Sequence, residues 1–182
     1  MLKIAELNGK FDGRAPCALL LGGFDGMHVG HRALLAEAKE TGLPVGVMSI
    51  SGGKGSADLF TFAERESIFR SLGAHFAFEL SFPEIRDLSP AEFCDLLLSE
   101  FSPKAFFCGR DFRFGKGAAG TPEFLKEYTH VSVCVRELLC LDGEKVSSGT
   151  VKRLLSEGDA AGAARLLGGP FFVRGEVIED RH

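Results

Sequence analysis

Gly22-Gly23-Phe24-Asp25-Gly26-Met27-His28-Val29-Gly30-His31 follows directly on the apolar run Cys17 to Leu21 and leads into a helical pattern with Leu34, Leu35 and Ala38 on one face. An apolar run, a glycine-rich break and an amphipathic stretch read as a strand, a tight turn and a helix. Such a turn offers backbone N–H groups and the positive end of the helix dipole to a phosphate, and Gly22, Gly23, Gly26 and Gly30 permit its close approach. His28 and His31 stand three residues apart at the helix start, so both imidazoles project towards a phosphate held over the turn.

Working outward, Pro44 to Ile50 is a second β-type run reached through the Thr41-Gly42 break, which makes the first unit a βαβ crossover with parallel strands. Thr61 with Glu64, and Ser89 with Glu92 and Pro90, are capping boxes that start helices near 62–72 and 90–100. The apolar runs His75 to Leu80, Ala105 to Cys108 and Val131 to Val135 continue the alternation, giving an α/β, Rossmann-like, doubly wound parallel sheet. Asp142-Gly143 predicts a hairpin turn, Ser147 and Ser148 stand where an N-cap is needed, and Gly158 and Asp159 separate two short helices ending at Leu167. Phe171 to His182 alternates as a strand, so the expected C-terminal appendage is helical and then extended.

A chain of 182 residues with 45% hydrophobic content suits one medium globular domain. A net charge of −4 gives no general attraction to polyanions, so no nucleic-acid partner is expected and any phosphate site must be locally basic. No stretch is long enough to span a bilayer, and the N-terminus does not read as a signal peptide, so no membrane association is expected. Cys17, Cys94, Cys108, Cys134 and Cys140 are odd in number, show no C-x-x-C spacing and read as buried thiols of a reducing, cytoplasmic protein. Nothing here sets an oligomeric state.

Two imidazole donors over a phosphate turn suit nucleotidyl transfer, in which the work is positioning the reactants and neutralising charge at the α-phosphorus. A metal centre on the same pair would need a third ligand that the spacing does not supply, so no protein metal site is expected. Downstream, Phe112 and Phe114 lie beside Arg110, Arg113 and Lys116, combining ring-stacking surface with cations. Gly115-Lys116-Gly117-Ala118-Ala119-Gly120 matches G-x-G-x-x-G formally, but it does not sit on a strand-to-helix turn and reads as a decoy.

Gly22 to His31 resembles the adenylyltransferase signature of bacterial FAD synthetases, within the nucleotidyltransferase superfamily marked by H-x-G-H. The resemblance continues through Leu88 to Phe93, Gly109 to Gly115, and Ser147-Ser148 into Gly158-Asp159 and Leu166-Leu167-Gly168. It implies a sheet of the nucleotidyltransferase type and transfer of AMP from ATP to FMN, giving FAD and pyrophosphate, with Mg²⁺ accompanying ATP. His28 and His31 would then stabilise the α-phosphate, Gly22, Gly23, Phe24, Asp25 and Gly26 line the nucleotide, and Asp111, Phe112, Arg113 and Phe114 hold the flavin. Ser147 to Lys152 resembles the superfamily's Ser-Ser-Thr-x-x-Arg block, which assigns Ser147, Ser148 and Thr150 to the nucleotide and Lys152 to the triphosphate. Lysine for arginine loses the bidentate fork, and Arg153 is an alternative cation.

The chain also departs from that pattern. Where family members carry Pro-His-Pro after the second strand, it reads Ser51-Gly52-Gly53-Lys54-Gly55-Ser56, a loop without that rigidity. Residues 1–168 are the expected adenylyltransferase-like domain and 169–182 a C-terminal extension, with no room for the riboflavin kinase domain that typically follows. The alternatives are another H-x-G-H nucleotidyltransferase with a different acceptor, and a catalytically degenerate flavin- or nucleotide-binding relative.

Overall fold

Every residue from Cys17 to Leu21 is apolar, and a strand of that kind needs both of its faces covered. The computed structural model, which describes residues 3–53, 58–137, 139–141 and 143–175, covers them both. Cys17, Leu19 and Leu21 point into one core with Phe93, Cys94, Leu97 and Leu125, while Ala18 and Leu20 point into another with Leu34, Leu35, Ala38 and Phe69. The successive elements are β1 (Lys3–Glu6), β2 (Pro16–Leu21), α1 (Val29–Glu40), β3 (Val45–Ser51), α2 (Phe62–Ser71), β4 (Phe76–Ser81), α3 (Phe82–Ile85), α4 (Pro90–Glu100), β5 (Ser102–Gly109), α5 (Pro122–Thr129) and β6 (Ser132–Arg136). A hairpin of β7 (Cys140–Leu141) and β8 (Glu144–Lys145) precedes α6 (Ser148–Ser156) and α7 (Ala160–Leu167).

Among the described residues the main sheet has six strands in the order β1-β4-β3-β2-β5-β6. β4, β3, β2, β5 and β6 are parallel, and β1 closes one edge antiparallel to β4. This is the expected doubly wound α/β architecture, with α1 and α2 contributing to one core and α4 and α5 to the other. Both capping boxes form, at Thr61 with Glu64 and at Ser89 with Glu92, and Ser147 caps α6. α6 and α7 add a third apolar cluster, in which Val151, Ala163, Leu166 and Leu167 meet Val29 and Leu59.

Two expectations are corrected. Phe171 to Gly175 is not a strand: Phe171 and Phe172 instead pack their rings on Phe60, at 5.3 and 5.0 Å between centroids, and residues 176–182 lie outside the described region. Aromatic docking on the body of the domain takes the place of sheet pairing. The five cysteines are free, but Cys140 is exposed and Cys134 half-buried, because β7 stands off the main sheet and β6 is its edge strand. The hairpin around Gly143 forms, with Asp142 itself outside the described residues.

One core position leaves no latitude. A Cβ on Gly46 of β3 would stand 2.2 Å from the Phe76 ring, which is itself stacked on Phe11 at 3.7 Å. Overpacking of this kind costs about 1–3 kcal/mol. Gly46→Ala is therefore expected to lower the unfolding free energy by that amount, read as a lower urea midpoint at unchanged slope, whereas Gly13→Ala, which would meet only ordinary contact at 3.8 Å, leaves it within about 0.5 kcal/mol.

Candidate active site

From β2 the chain proceeds to β3 and β4 on one side, and from β5 it proceeds to β6 on the other, so the sheet order reverses between β2 and β5. Loops leaving the C-terminal ends of those two strands part company and leave a crevice. A cavity of about 440 Å³ occupies it. Gly22, Gly23, Phe24, Asp25, His28 and His31 line it from the β2–α1 turn, Asp111, Phe112 and Arg113 from the segment after β5, and Ser147 and Ser148 from the start of α6.

The turn holds its two imidazoles by packing. His28 is the N-cap of α1, and its Nδ1 accepts the His31 backbone N–H at 3.3 Å. The two rings stack at 3.5 Å with 19° between their planes, and His31 leans on Phe24 at 4.5 Å. A Cβ on Gly30 would come within 3.3 Å of the His28 ring, and one on Gly22 within 3.0 Å of the Phe24 ring. These two glycines are thus needed for close side-chain packing as well as for backbone access. Phe24 (φ 44°) and Met27 (φ 43°) adopt left-handed backbone, a strained choice for such residues that their complete burial maintains.

Burial sets the charge state of the pair. It pushes His28 from its ordinary value of 6.5 down to about 4, against a smaller upward pull from the Asp111 carboxylate. His31 is held well below the same value by burial and then by its neighbour His28. Both rings are neutral near pH 7, and a neutral His28 that accepts at Nδ1 carries its proton on Nε2. The His31 Nδ1 is buried without a hydrogen-bond partner.

Gly26, Thr150, Lys152 and Phe114, each assigned to the site from sequence, lie off the cavity wall. Gly26 faces Leu59 and Leu167, which a Cβ would meet at 2.9 and 3.1 Å, so it lets α7 close on the turn. The Thr150 hydroxyl donates to the Lys145 carbonyl at 2.7 Å, next to the Ser147 hydroxyl. The Lys152 Nζ stands 2.8 Å from Asp25 Oδ2, while Arg153 is bound to Glu144 and Glu157. Phe114 belongs to a second cavity, of about 270 Å³, lined by apolar side chains including Met48, Ile50, Phe82, Ile85 and Phe93. Phe112 and Arg113 border both cavities, and Phe112 stacks on Phe114 at 5.4 Å between centroids.

Topology adds residues that sequence reasoning did not single out. Arg136, at the C-terminal end of β6, lines the first cavity and is ion-paired with Glu37 of α1. Lys145 of β8 lines it too, 3.0 Å from Asp111 Oδ2. The strand-end rule for doubly wound sheets points to Arg136, and adjacency to Val146-Ser147-Ser148 points to Lys145. Behind the loop that departs from the family pattern, the buried Arg65 donates to Ser49 Oγ, to the carbonyls of Ile50 and Phe60, and to Asp58. Residues 54–57 of that loop lie outside the described region. The G-x-G-x-x-G stretch is a loop with a single 3₁₀ turn, Lys116–Ala118, bridged from Phe114 to Gly120, as the decoy reading requires.

Comparison with known proteins bears on the same segments. The FAD synthetase family pattern matches residues 10–150. The bifunctional riboflavin kinase/FMN adenylyltransferases of Bacillus subtilis and Escherichia coli are 29% and 32% identical over 181 and 180 residues, covering 91% and 89% of this chain. The chain spans 57% of the length of each of those relatives. A Geobacillus thermodenitrificans protein to which the same pair of activities is ascribed is 30% identical over 159 residues, covering 82% of this chain and 88% of its own length. Among solved structures, that of a Streptococcus pneumoniae protein named as a macrolide-efflux protein superposes with a TM-score of 0.78 at 26% identity, covering 86% of this chain and 56% of its own. No helix among the described residues is long and apolar enough to cross a membrane.

The buried imidazoles make stability depend on pH. A histidine whose folded value lies below its unfolded one binds fewer protons when folded, so its contribution is complete above the unfolded value and is lost as pH falls through 6.5 towards the folded value of about 4. For His28 that shift corresponds to roughly 3 kcal/mol, and His31 acts in the same direction. Urea unfolding is expected to show stability falling between pH 7 and pH 5, and His28→Asn, which retains an N-cap acceptor, to shrink that fall. A midpoint independent of pH over this range would contradict the buried, neutral pair.

Proposed function

Because this chain belongs to the FAD synthetase family, we propose that it transfers AMP from ATP to FMN, releasing pyrophosphate and forming FAD. The observation that carries the reading is the arrangement of the two cavities. A neutral imidazole pair stands at the phosphate turn of the first, and a mostly apolar cavity with aromatic walls adjoins it through Phe112 and Arg113. The first suits a nucleotide and the second a planar ring system such as a flavin.

In this reading a terminal phosphate oxygen of FMN attacks the α-phosphorus of ATP. A new P–O bond forms there as the bond to the bridging oxygen breaks, and pyrophosphate leaves with that electron pair. His28 contributes an Nε2–H donor to the non-bridging oxygens, where charge accumulates in the transition state. The backbone around Gly22 and Gly23 and the N-terminus of α6 at Ser147 and Ser148 complement the phosphates. Phe112, Phe114 and Arg113 seat the flavin and its phosphate. No covalent enzyme intermediate is needed.

Mg²⁺ belongs to this reading through the triphosphate. Among the described residues no three His, Cys, Asp or Glu side chains converge on one point. Mg²⁺ accompanying the triphosphate would supply charge neutralisation on the leaving group.

Incubation with FMN, ATP and Mg²⁺ is expected to yield FAD and pyrophosphate in equal amounts by chromatography. His28→Asn should lower kcat by on the order of 10²-fold, with the far-ultraviolet circular dichroism unchanged. Binding of both substrates without product would remove the enzymatic reading, and undiminished turnover in the variant would remove His28 from it.

A further inference from the structure

Lys152 sits in α6 at the place where a triphosphate-gripping cation is expected, yet the cavity wall is formed there by Asp25. Its Nζ lies 2.8 Å from Asp25 Oδ2, and the two side chains are only 25% and 14% exposed. The second carboxylate oxygen, Oδ1, accepts the backbone N–H of Leu59 at 2.8 Å. Asp25 therefore ties together three elements: the β2–α1 turn, the segment that enters α2, and α6. An anion in this position holds the architecture but faces the cavity that would receive a polyanion. Unless its charge is cancelled, it repels what the turn is shaped to bind.

We propose that Lys152 is the counter-ion of Asp25 and acts on the nucleotide only by cancelling that carboxylate, a positioning residue that does not itself touch the triphosphate. The inference rests on the nucleotide-binding reading of the site and deepens it. Geometry favours it over direct contact in two ways: the ammonium is already committed at short distance, and it is Asp25 that borders the cavity. Arg153 cannot substitute, since its guanidinium is engaged on both sides by Glu144 and Glu157.

The test uses charge-removing, shape-preserving variants of the full chain. Asp25→Asn keeps an acceptor for the Leu59 N–H, and Lys152→Met keeps the length of the stem. The dissociation constant of ATP with Mg²⁺ is measured by titration calorimetry for the parent, D25N, K152M and the double variant, and folding is checked by circular dichroism. The proposal expects K152M to bind ATP at least tenfold more weakly, because it leaves a bare carboxylate at the phosphates. The double variant should return to within about threefold of the parent, and Lys152→Arg should bind like the parent.

The comparison of the parent with the double variant does not depend on whether K152M folds. Neither carries a net charge at this position, so their ATP affinities are expected to differ by less than about threefold. A double variant weaker than the parent by tenfold or more, or one as weak as K152M, would overturn the proposal and assign Lys152 to direct phosphate contact. A parent chain that binds ATP but makes no FAD would remove the adenylyltransfer reading while leaving this one intact, and a parent that binds no ATP removes both.

Discussion

A single hydrogen bond, from the His31 backbone N–H to His28 Nδ1, stands at the centre of the molecule's chemistry. It satisfies one of the N–H groups left free at the start of α1, so it is first a structural cap. Because it occupies Nδ1 as an acceptor, it also selects the tautomer of the neutral ring and leaves Nε2–H as its donor. The stack of His28 on His31 brings the His28 ring close to the helix backbone, and a Cβ at position 30 would crowd that ring at 3.3 Å. Helix start, ring orientation and protonation state are thus a single constraint, met by one glycine and two histidines.

Around that constraint three of the cations that border or approach the crevice are held in pairs. Lys145 meets Asp111, Arg136 meets Glu37, and Lys152 meets Asp25. A chain with an overall charge of −4 does not attract anions at long range, and these pairs keep the crevice from becoming a strongly positive patch. The pairs also restrain long, flexible side chains before any ligand arrives, which lowers the entropy lost when one binds. A polyanion entering the crevice competes with carboxylates at fixed positions, so discrimination depends on geometry more than on charge alone.

Much of this was legible in sequence, for reasons that differ from element to element. β2, α1 and β3 were readable because a fully apolar strand, a glycine turn and an amphipathic helix occur in unbroken succession, and the Thr61 and Ser89 capping boxes placed two helix starts to the residue. β1 was not, since it has four residues, exposes Lys3 and gains its identity only by pairing with β4. The alternation in Phe171 to Gly175 misled because Phe171 and Phe172 pack on Phe60 rather than extend a sheet. The site was legible where its residues are contiguous, as in Gly22 to His31. It was hidden where topology assembles it: Arg136 and Lys145 come from distant elements, and the spacing that marks Lys152 says nothing of its partner Asp25.

Arg65 holds together the two segments that flank the loop after β3. One buried guanidinium grips the end of β3 at Ser49 and Ile50 and the approach to α2 at Asp58 and Phe60. Both stems of the intervening segment are anchored by a side chain that belongs to neither, so the anchorage does not rely on what the loop itself contains. The position where this chain departs from the Pro-His-Pro pattern is therefore bracketed by one clamp, which ties the end of β3 to the approach to α2 from outside the loop.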